Sequence, residues 1–327
     1  MADYRQAGVD LDAHAVLVRR IADLAGRASR PEVLSGVGLF SGAMGLPQGL
    51  GDPVLVASTD SVGTKVLLAA ACGSWDEVGR DVVIHCANDV VTSGASPLLF
   101  LDYLAVHALD ATQTLGLVGG VAEACRQAGC ALLGGETAQL PDLYQPGTFD
   151  LAGTMVGVTE RSRLVLPRAG VGDAVLGLPS SGLHTNGFSL VRRILAETRT
   201  DPRAHQAELL APSRLYSGDV RRLVEAGLPL HGMAHITGGG LPGNLDRVLP
   251  PDADAVLDPA SWERPTVFTW LQRLGGIAEE EMRRVFNLGI GFCLVVPAEI
   301  AGQALALLPE ARRIGELVPG QGRVVWR

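Results

Sequence analysis

Four carboxylates in the first half of the chain stand where a sheet could deliver them to one edge. They are Asp60, just past the apolar run 54–57, Asp89 in Cys86-Ala87-Asn88-Asp89, Asp102 in Phe100-Leu101-Asp102-Tyr103, and Glu136 in Gly134-Gly135-Glu136-Thr137. Asp102 interrupts an apolar run, where a charge is costly unless it is paired or bound to metal. Brought together, these oxygens suit Mg2+, which takes carboxylates, water and phosphates and so lets an acidic protein bind a nucleotide. Each acid alone reads more readily as a helix cap or turn residue, and only the set of four carries the metal reading. Lys65 is the only lysine among 27 lysine and arginine residues, and it ends the segment Asp60-Ser61-Val62-Gly63-Thr64-Lys65. A compact ammonium kept at that one place suits phosphate chemistry better than a planar guanidinium.

Glycine-dense turns supply backbone N–H groups. Gly36-Val37-Gly38-Leu39-Phe40-Ser41-Gly42 could fold over phosphates, although it matches neither the dinucleotide fingerprint nor the Walker pattern. The stretch 61–65 lacks the earlier glycine of a P-loop, which excludes a P-loop NTPase. In the second half, Ser180-Ser181-Gly182-Leu183-His184-Thr185-Asn186-Gly187 follows a strand pattern and precedes a helix pattern. Its amides and hydroxyls read equally as an anion cradle or as a capped helix. His235-Ile236-Thr237-Gly238-Gly239-Gly240, followed by Asn244, is a second turn of this kind. His231 and His235 are four apart, but no Glu follows His231 and the glycines point to a strand or loop, which argues against zinc on that pair.

To position these groups the chain needs alternating strands and helices. Short apolar runs at 54–57, 98–104, 130–133 and 151–159 predict strands, and the patterns at 64–72, 77–93 and 112–128 predict helices. The segment 161–173, with Pro167, Gly170 and Gly172 among charged residues, predicts a boundary. Beyond it come strands at 174–178 and 291–296 and helices at 187–197 and 213–226. The expectation is an α/β (α+β) chain with a first domain over 1–165 and a second over 166–327.

Composition narrows the partners. Of 327 residues, 47% are hydrophobic and 19% charged, with 41 glycines, which is globular composition with many turns. A net charge of −8 without a basic run argues against nucleic acid. No signal-like segment and no apolar stretch of spanning length is visible, so no membrane partner and a cytoplasmic location are expected. The five cysteines form no C-x-x-C pair and read as small buried residues.

Taken in order, Ala7-Gly8-Val9-Asp10-Leu11-Asp12-Ala13, Arg30-Pro31-Glu32, Thr59–Lys65, Asn88-Asp89, Phe100–Tyr103, Gly134–Thr137, Ser180–Gly187, His235–Gly240 and Phe286-Asn287-Leu288-Gly289-Ile290-Gly291 resemble the phosphoribosylformylglycinamidine cyclo-ligase (aminoimidazole ribonucleotide synthetase) family nearly end to end. The resemblance implies an N-terminal mixed-sheet domain that pairs across a homodimer and a C-terminal α/β domain, with ATP and substrate between them. It implies an ATP-dependent cyclo-ligase that converts formylglycinamidine ribonucleotide to aminoimidazole ribonucleotide, ADP and phosphate, using Mg2+.

On that resemblance Asp60, Asp89 and Glu136 bind Mg2+ with ATP, and Lys65 neutralises the γ-phosphate. Thr59, Gly63, Thr64, Asn88, Asp102, Gly134 and Gly135 join the nucleotide site, covered by the loop of Gly36, Gly38 and Gly42. The turns of Ser180, Ser181, Gly182, His184 and Asn186, and of His235, Thr237, Gly238, Gly239 and Gly240, hold the ribose phosphate or the amidine. Lys65, Asp60 and His184 are the expected catalytic groups, His184 because imidazole titrates near working pH. Two departures stand out: Ser61 replaces a family glycine, and Gln139 and Asp142 replace a second acid and a glycine, which weakens any metal role at 139. The competing readings are another ATP-dependent member of the wider superfamily and a nucleotide-binding module without turnover.

Overall fold

The computed structural model describes residues 11–38 and 40–327. Residues 7–10 of the resemblance and Leu39 of the glycine loop lie outside the described residues.

The first domain contains α1 (Leu11–Gly26), β1 (Val33–Ser35), β2 (Ala43–Met44), β3 (Pro53–Ser61), α2 (Lys65–Cys72), α3 (Trp75–Val91), β4 (Ser96–Val106), α4 (Ala111–Ala128), β5 (Ala131–Gln139) and β6 (Phe149–Glu160). Its sheet runs β3-β6-β4-β5. Only the β4–β5 pair is parallel. Asp110 caps α4 by accepting from the Gln113 amide at 2.8 Å, and Gly129 closes the helix at φ 74°. Helices α3 and α4 cross at bare glycines: a Cβ on Gly79 would stand 2.0 Å from the Leu117 carbonyl oxygen, and one on Gly120 2.1 Å from that of Asp76. That approach presses α3 onto one face of the sheet. On β3, Val56, Ser58 and Asp60 turn toward α3, whereas Leu55, Ala57 and Thr59 turn outward. Leu55, Leu101 and Tyr103 are exposed on the outward face.

The second domain contains β7 (Ala174–Pro179), α5 (Phe188–Glu197), α6 (Gln206–Leu209), α7 (Ser217–Glu225), β8 (Gly232–His235), α8 (Pro242–Leu245), β9 (Ala253–Leu257), α9 (Thr266–Gly275), α10 (Glu279–Val285), β10 (Ile290–Val296), α11 (Ala301–Leu307), β11 (Arg312–Pro319) and β12 (Val324–Trp326). Six strands pair in the order β12-β9-β11-β7-β10-β8, antiparallel except for β12 with β9. Every residue of β10 is buried, as expected of a continuous apolar run covered on both faces. The domains share an interior, because Phe188, Leu195, Phe268 and Phe286 join the apolar cluster built on α3 and α4.

Two elements differ instructively from their predicted bounds. The helix expected over 213–226 begins at Ser217, because the amides of Ser213 and Tyr216 are taken by Asp81 and Asn88 at 2.7 and 2.9 Å. Strand β5 runs on to Gln139, which places Gly134–Thr137 inside the sheet instead of in a turn after it.

Candidate active site

Asp81, His85, Asn88 and Asp89 fall at i, i+4, i+7 and i+8 of α3 and therefore share a face. Three of them are buried, with Asp81 and Asn88 at 0% and His85 at 4% exposure. Polar groups so enclosed must find partners, and they find them on both sides of the seam between the domains. The Asp81 carboxylate meets Lys65 Nζ at 2.5 Å and accepts from the Ser213 amide. Lys65 also donates to the carbonyls of His184 at 2.8 Å and Ala211 at 3.4 Å. Asn88 accepts from the Tyr216 amide and donates to the Arg214 carbonyl, each at 2.9 Å.

Two of the expected site residues, Lys65 and Asn88, are therefore enclosed. Lys65, fully buried and lying 5.2 Å from the Phe188 ring centre, is enclosed between the domains with its donors engaged. Asn88 is likewise a clamp on 211–216, with both its carbonyl and its amino group engaged.

One helical turn further along, the stripe meets the ends of β3 and β8. His85 Nε2 lies 2.8 Å from Asp60 Oδ2, and its Nδ1 lies 2.7 Å from Thr185 Oγ1. His235 Nδ1 lies 2.8 Å from Asp89 Oδ1, while Ser58 Oγ donates to Asp89 Oδ2 at 2.9 Å. The two imidazole rings are 5.0 Å apart. Burial pushes the Asp60 and Asp89 carboxyls up, but His85 and His235 outweigh it and hold both acids below the ordinary carboxylate range. The histidines diverge. Burial pulls both down, yet Asp60, Asp89 and Asp81 together lift His85 above its ordinary value, whereas His235 stays below. A neutral His235 that donates Nδ1–H to Asp89 leaves its Nε2 lone pair without a hydrogen-bond partner among the described residues.

The remaining acids form a separate pair. Asp60, Gly153, Asp102 and Gly135 are register partners across four strands, so Asp102 lies two strands from Asp60 and on the same face. A Cβ on Gly153 would fall 2.0 Å from the Phe100 ring, which fills the space between them. Asp102 faces a small cavity of about 130 Å3 lined by Val18, Ile21, Val37 and Leu132. Burial first, and then the charge of Glu136, push its carboxyl up to about 7. Glu136 pairs with Tyr103 and emerges, exposed, on the opposite face. One ion held by Asp60, Asp89 and Glu136 of a single chain is therefore not assembled: strand alternation turns Glu136 away, three strands from Asp60. The same alternation puts Thr59 on the outer face, where its hydroxyl meets that of Thr154 at 2.8 Å. The loop of Gly36, Gly38 and Gly42 lies near this pair, since Val37 lines the cavity and a Gly42 Cβ would meet Leu133 at 2.5 Å.

The second-domain turns are stapled by asparagines. Asn287 accepts from Ser180 Oγ and from the Gly289 amide and donates to the Gly182 carbonyl. Asn244 donates to the carbonyls of Thr237, Gly238 and Gly240 and accepts from Thr237 Oγ1. Ser181 Oγ donates to the Pro212 carbonyl at 2.6 Å. His184, at φ 57°, points inward: its Nε2 accepts from the Ser181 and Arg214 amides at 3.2 and 3.5 Å, and its Nδ1 is buried without a partner among the described residues. Burial first, then the repulsion that a protonated His235 would exert and the charge of Lys65, drive its pKa well below the ordinary value. The expected acid or base is in this structure a buried group held neutral. Asn186, Thr237 and Gly238 keep partial or full exposure, as do Gly63 and Thr64, whose hydroxyl meets Ser189 Oγ at 3.0 Å. The Gly239 and Gly240 conformations, at φ 100° and 63°, shape the second turn.

His85 is the cluster member the sequence reading missed. Its signal was present as His-x-x-x-Asp on a predicted helix, a spacing that puts His85 and Asp89 side by side. A cleft of about 400 Å3 walled by Arg30, Ser96, Glu160, Arg163 and Arg221 lies at the other end of β4 and contains none of these groups.

Two mixed domains joined over a buried polar seam define the class. Residues 48–159 match the N-terminal domain model of AIR synthase related proteins, and residues 170–327 match the C-terminal one. The chain belongs to the phosphoribosylformylglycinamidine cyclo-ligase family of enzymes. It is 52% identical to the phosphoribosylformylglycinamidine cyclo-ligase of Sorangium cellulosum over 99% of both chains. It is 51% identical to that of Synechococcus sp. (strain CC9605) over 90% of this chain and 88% of the relative. Among solved structures, thiamine-monophosphate kinase from Stenotrophomonas maltophilia superposes with a TM-score of 0.69 at 20% identity, covering 95% of each chain. The hydrogenase maturation protein HypE, solved in complex with ATP, gives 0.72 at 20% identity over 94% of this chain and 90% of its own. These structures share the fold.

Proposed function

We propose that this chain closes the imidazole ring of aminoimidazole ribonucleotide: formylglycinamidine ribonucleotide and ATP give aminoimidazole ribonucleotide, ADP and phosphate. The observation that carries this reading is the 52% identity to a cyclo-ligase across 99% of both chains. The formyl oxygen attacks the γ-phosphorus and ADP leaves. The amidine nitrogen then adds to the activated carbon, loses a proton and expels phosphate. The geometry supports His235 as the acceptor of that proton, because Asp89 fixes its tautomer and Nε2 is left open.

Ser181 and Gly238, which are exposed, and Asn186 and Thr237, which are half-buried, are the accessible members of the turns that would hold the substrate. ATP would lie toward Gly63, Thr64, Asp102 and the Gly134–Glu136 stretch. The carboxylates of Asp60 and Asp89, each part-exposed, would hold Mg2+, which when bound neutralises phosphate charge. Lys65 acts here as a positioning residue that holds the His184 carbonyl and the segment 211–216.

The division at 165/166 is supported by the crossing segment between the two matched regions. Among the described residues no helix is long and apolar enough to cross a membrane. The exposed Leu55, Leu101 and Tyr103 on the uncovered sheet face support a homodimer.

Substrate-dependent ADP release by the purified protein tests the reaction, and its absence would overturn the reading. His235→Gln is expected to lower kcat by about 10²- to 10⁴-fold with the fold intact by circular dichroism. An unchanged kcat would remove His235 from the proton transfer.

A further inference from the structure

We propose that the cleft at the start of β4 is a second small-molecule site, shaped for a phosphomonoester carried on a flat apolar body. Its volume of about 400 Å3 lies in the range of small-molecule clefts, which gather where domains meet. Two domains meet here, since α7 of the second faces the end of α3, the start of β4 and the end of β6 of the first. Between them the walls are apolar. Val91, Ala95, Pro97, Val158 and Val220 are buried and Val224 is half-buried, so a flat ring system finds apolar surface on both sides. The charges at the rim are unequally engaged. Arg30 is taken by Glu32 and the Gly129 carbonyl, and Glu160 by the Gly51 and Asp52 amides at 2.9 and 2.8 Å. Arg163, by contrast, has no ion pair among the described residues, and Arg221 reaches only the exposed Glu225, at 4.0 Å. Two guanidinium forks, one from each domain, therefore stand free over an apolar slot. Such forks grip phosphate through paired N–H donors. A purely apolar ligand would leave both forks unused, and inorganic phosphate would leave the slot empty, so the two features together specify an anion with an apolar body. Glu225 at the same rim opposes a highly charged ligand, which favours a monophosphate over a triphosphate. Val91 stands two residues past Asp89, yet none of His85, Asp89 and His235 lines the cleft.

The cleft shares no residue with the reaction proposed above, and its test contains no turnover. Anilinonaphthalene sulfonate, an anion on fused rings, is titrated into the whole protein and its fluorescence recorded. The expected result is saturation at one equivalent and competitive displacement by naphthyl phosphate. Naphthol, which keeps the rings without the phosphate, should displace the probe at least about tenfold less well. Arg163→Ala and Arg221→Ala should each weaken probe binding about tenfold. Arg193→Ala, on α5 and paired with Glu197, should leave it unchanged. Wild-type affinity in either cleft variant places the probe elsewhere and overturns the proposal. Equal displacement by naphthol and naphthyl phosphate overturns it too, because the arginines would then play no part. So does an absence of saturable binding in the unsubstituted protein, an arm that stands even if a variant fails to fold.

Discussion

The two acid pairs of the first domain are both half sunk into protein, yet they end in opposite states. Asp60 and Asp89 meet imidazoles and are held below the ordinary carboxylate range, whereas Asp102 meets aliphatic side chains and the charge of Glu136 and is pushed up to about 7. Burial opposes charge in both places, so the partner decides. Partners come from α3, whose polar stripe faces β3 and the second domain. None reaches the β4–β5 end of the sheet, where α1 and Val37 close over Asp102 with apolar atoms.

The strongest way to break this contrast is to strip a partner from the seam where pairing is tightest. Lys65→Met leaves the Asp81 carboxylate buried beside a methyl group, and loss of one member of a buried pair costs about 3–5 kcal/mol. Urea denaturation should show that loss, together with release of the segment 211–216 as faster amide exchange at Ser213. A variant within about 1 kcal/mol of the parent would mean that the ammonium is not paired as described.

That seam also marks where the sequence was legible and where it was not. Strand and helix periodicity located β3, α3, β4, α4 and β6, and glycine density located both second-domain turns. The chemistry of individual residues was harder to read, because orientation depends on alternation and helix phase. Asp60 and Asp102 share a face through their register with Gly153, and Glu136, one residue past Gly135, does not. Lys65 carried the right signal, a compact charge kept in one place, but its partner Asp81 lay 16 residues on in a helix whose buried face could be found only by projecting the 3.6-residue period onto polar residues. Asp81 and His85 were missed for that reason. The segments α9, α10 and β11 gave no sharp signal, since their faces are set by neighbours distant in the chain.

A smaller effect comes from acid. His184 and His235 both sit below the ordinary imidazole value, with burial as the leading cause. Each is neutral in the folded chain and takes a proton more readily when unfolded, so the stability they contribute is present above pH of about 6.5 and is lost as pH falls below it. His85, lifted by its acidic neighbours, works the other way and favours the folded state at lower pH. Between pH 7 and 5.5 the two depressed histidines give Tm a downward slope by thermal denaturation, which His85 and Asp102 oppose. His235→Gln should flatten part of that slope, and His85→Gln should steepen it. Equal slopes in all three proteins would show that the imidazoles do not differ as described.

The mildest test goes to the unpartnered acid. With its carboxyl pushed up to about 7, Asp102 is charged at pH 8 in a setting that disfavours the charge and largely neutral at pH 6. Its folded pKa lies above the unfolded value, so this group costs stability as pH rises from about 4 toward 7 and the cost is then constant. Asp102→Asn removes the charge at nearly the same volume and should stabilise the fold by up to about 1 kcal/mol at pH 8, with the gain shrinking toward pH 5. The same exchange at Asp89 should destabilise at both pH values, because it weakens the bond to His235 and leaves an amide against Ser58. If Asn at 102 destabilised the fold at pH 8 as much as Asn at 89, Asp102 would have a partner of its own, and the two ends of the sheet would no longer differ in kind.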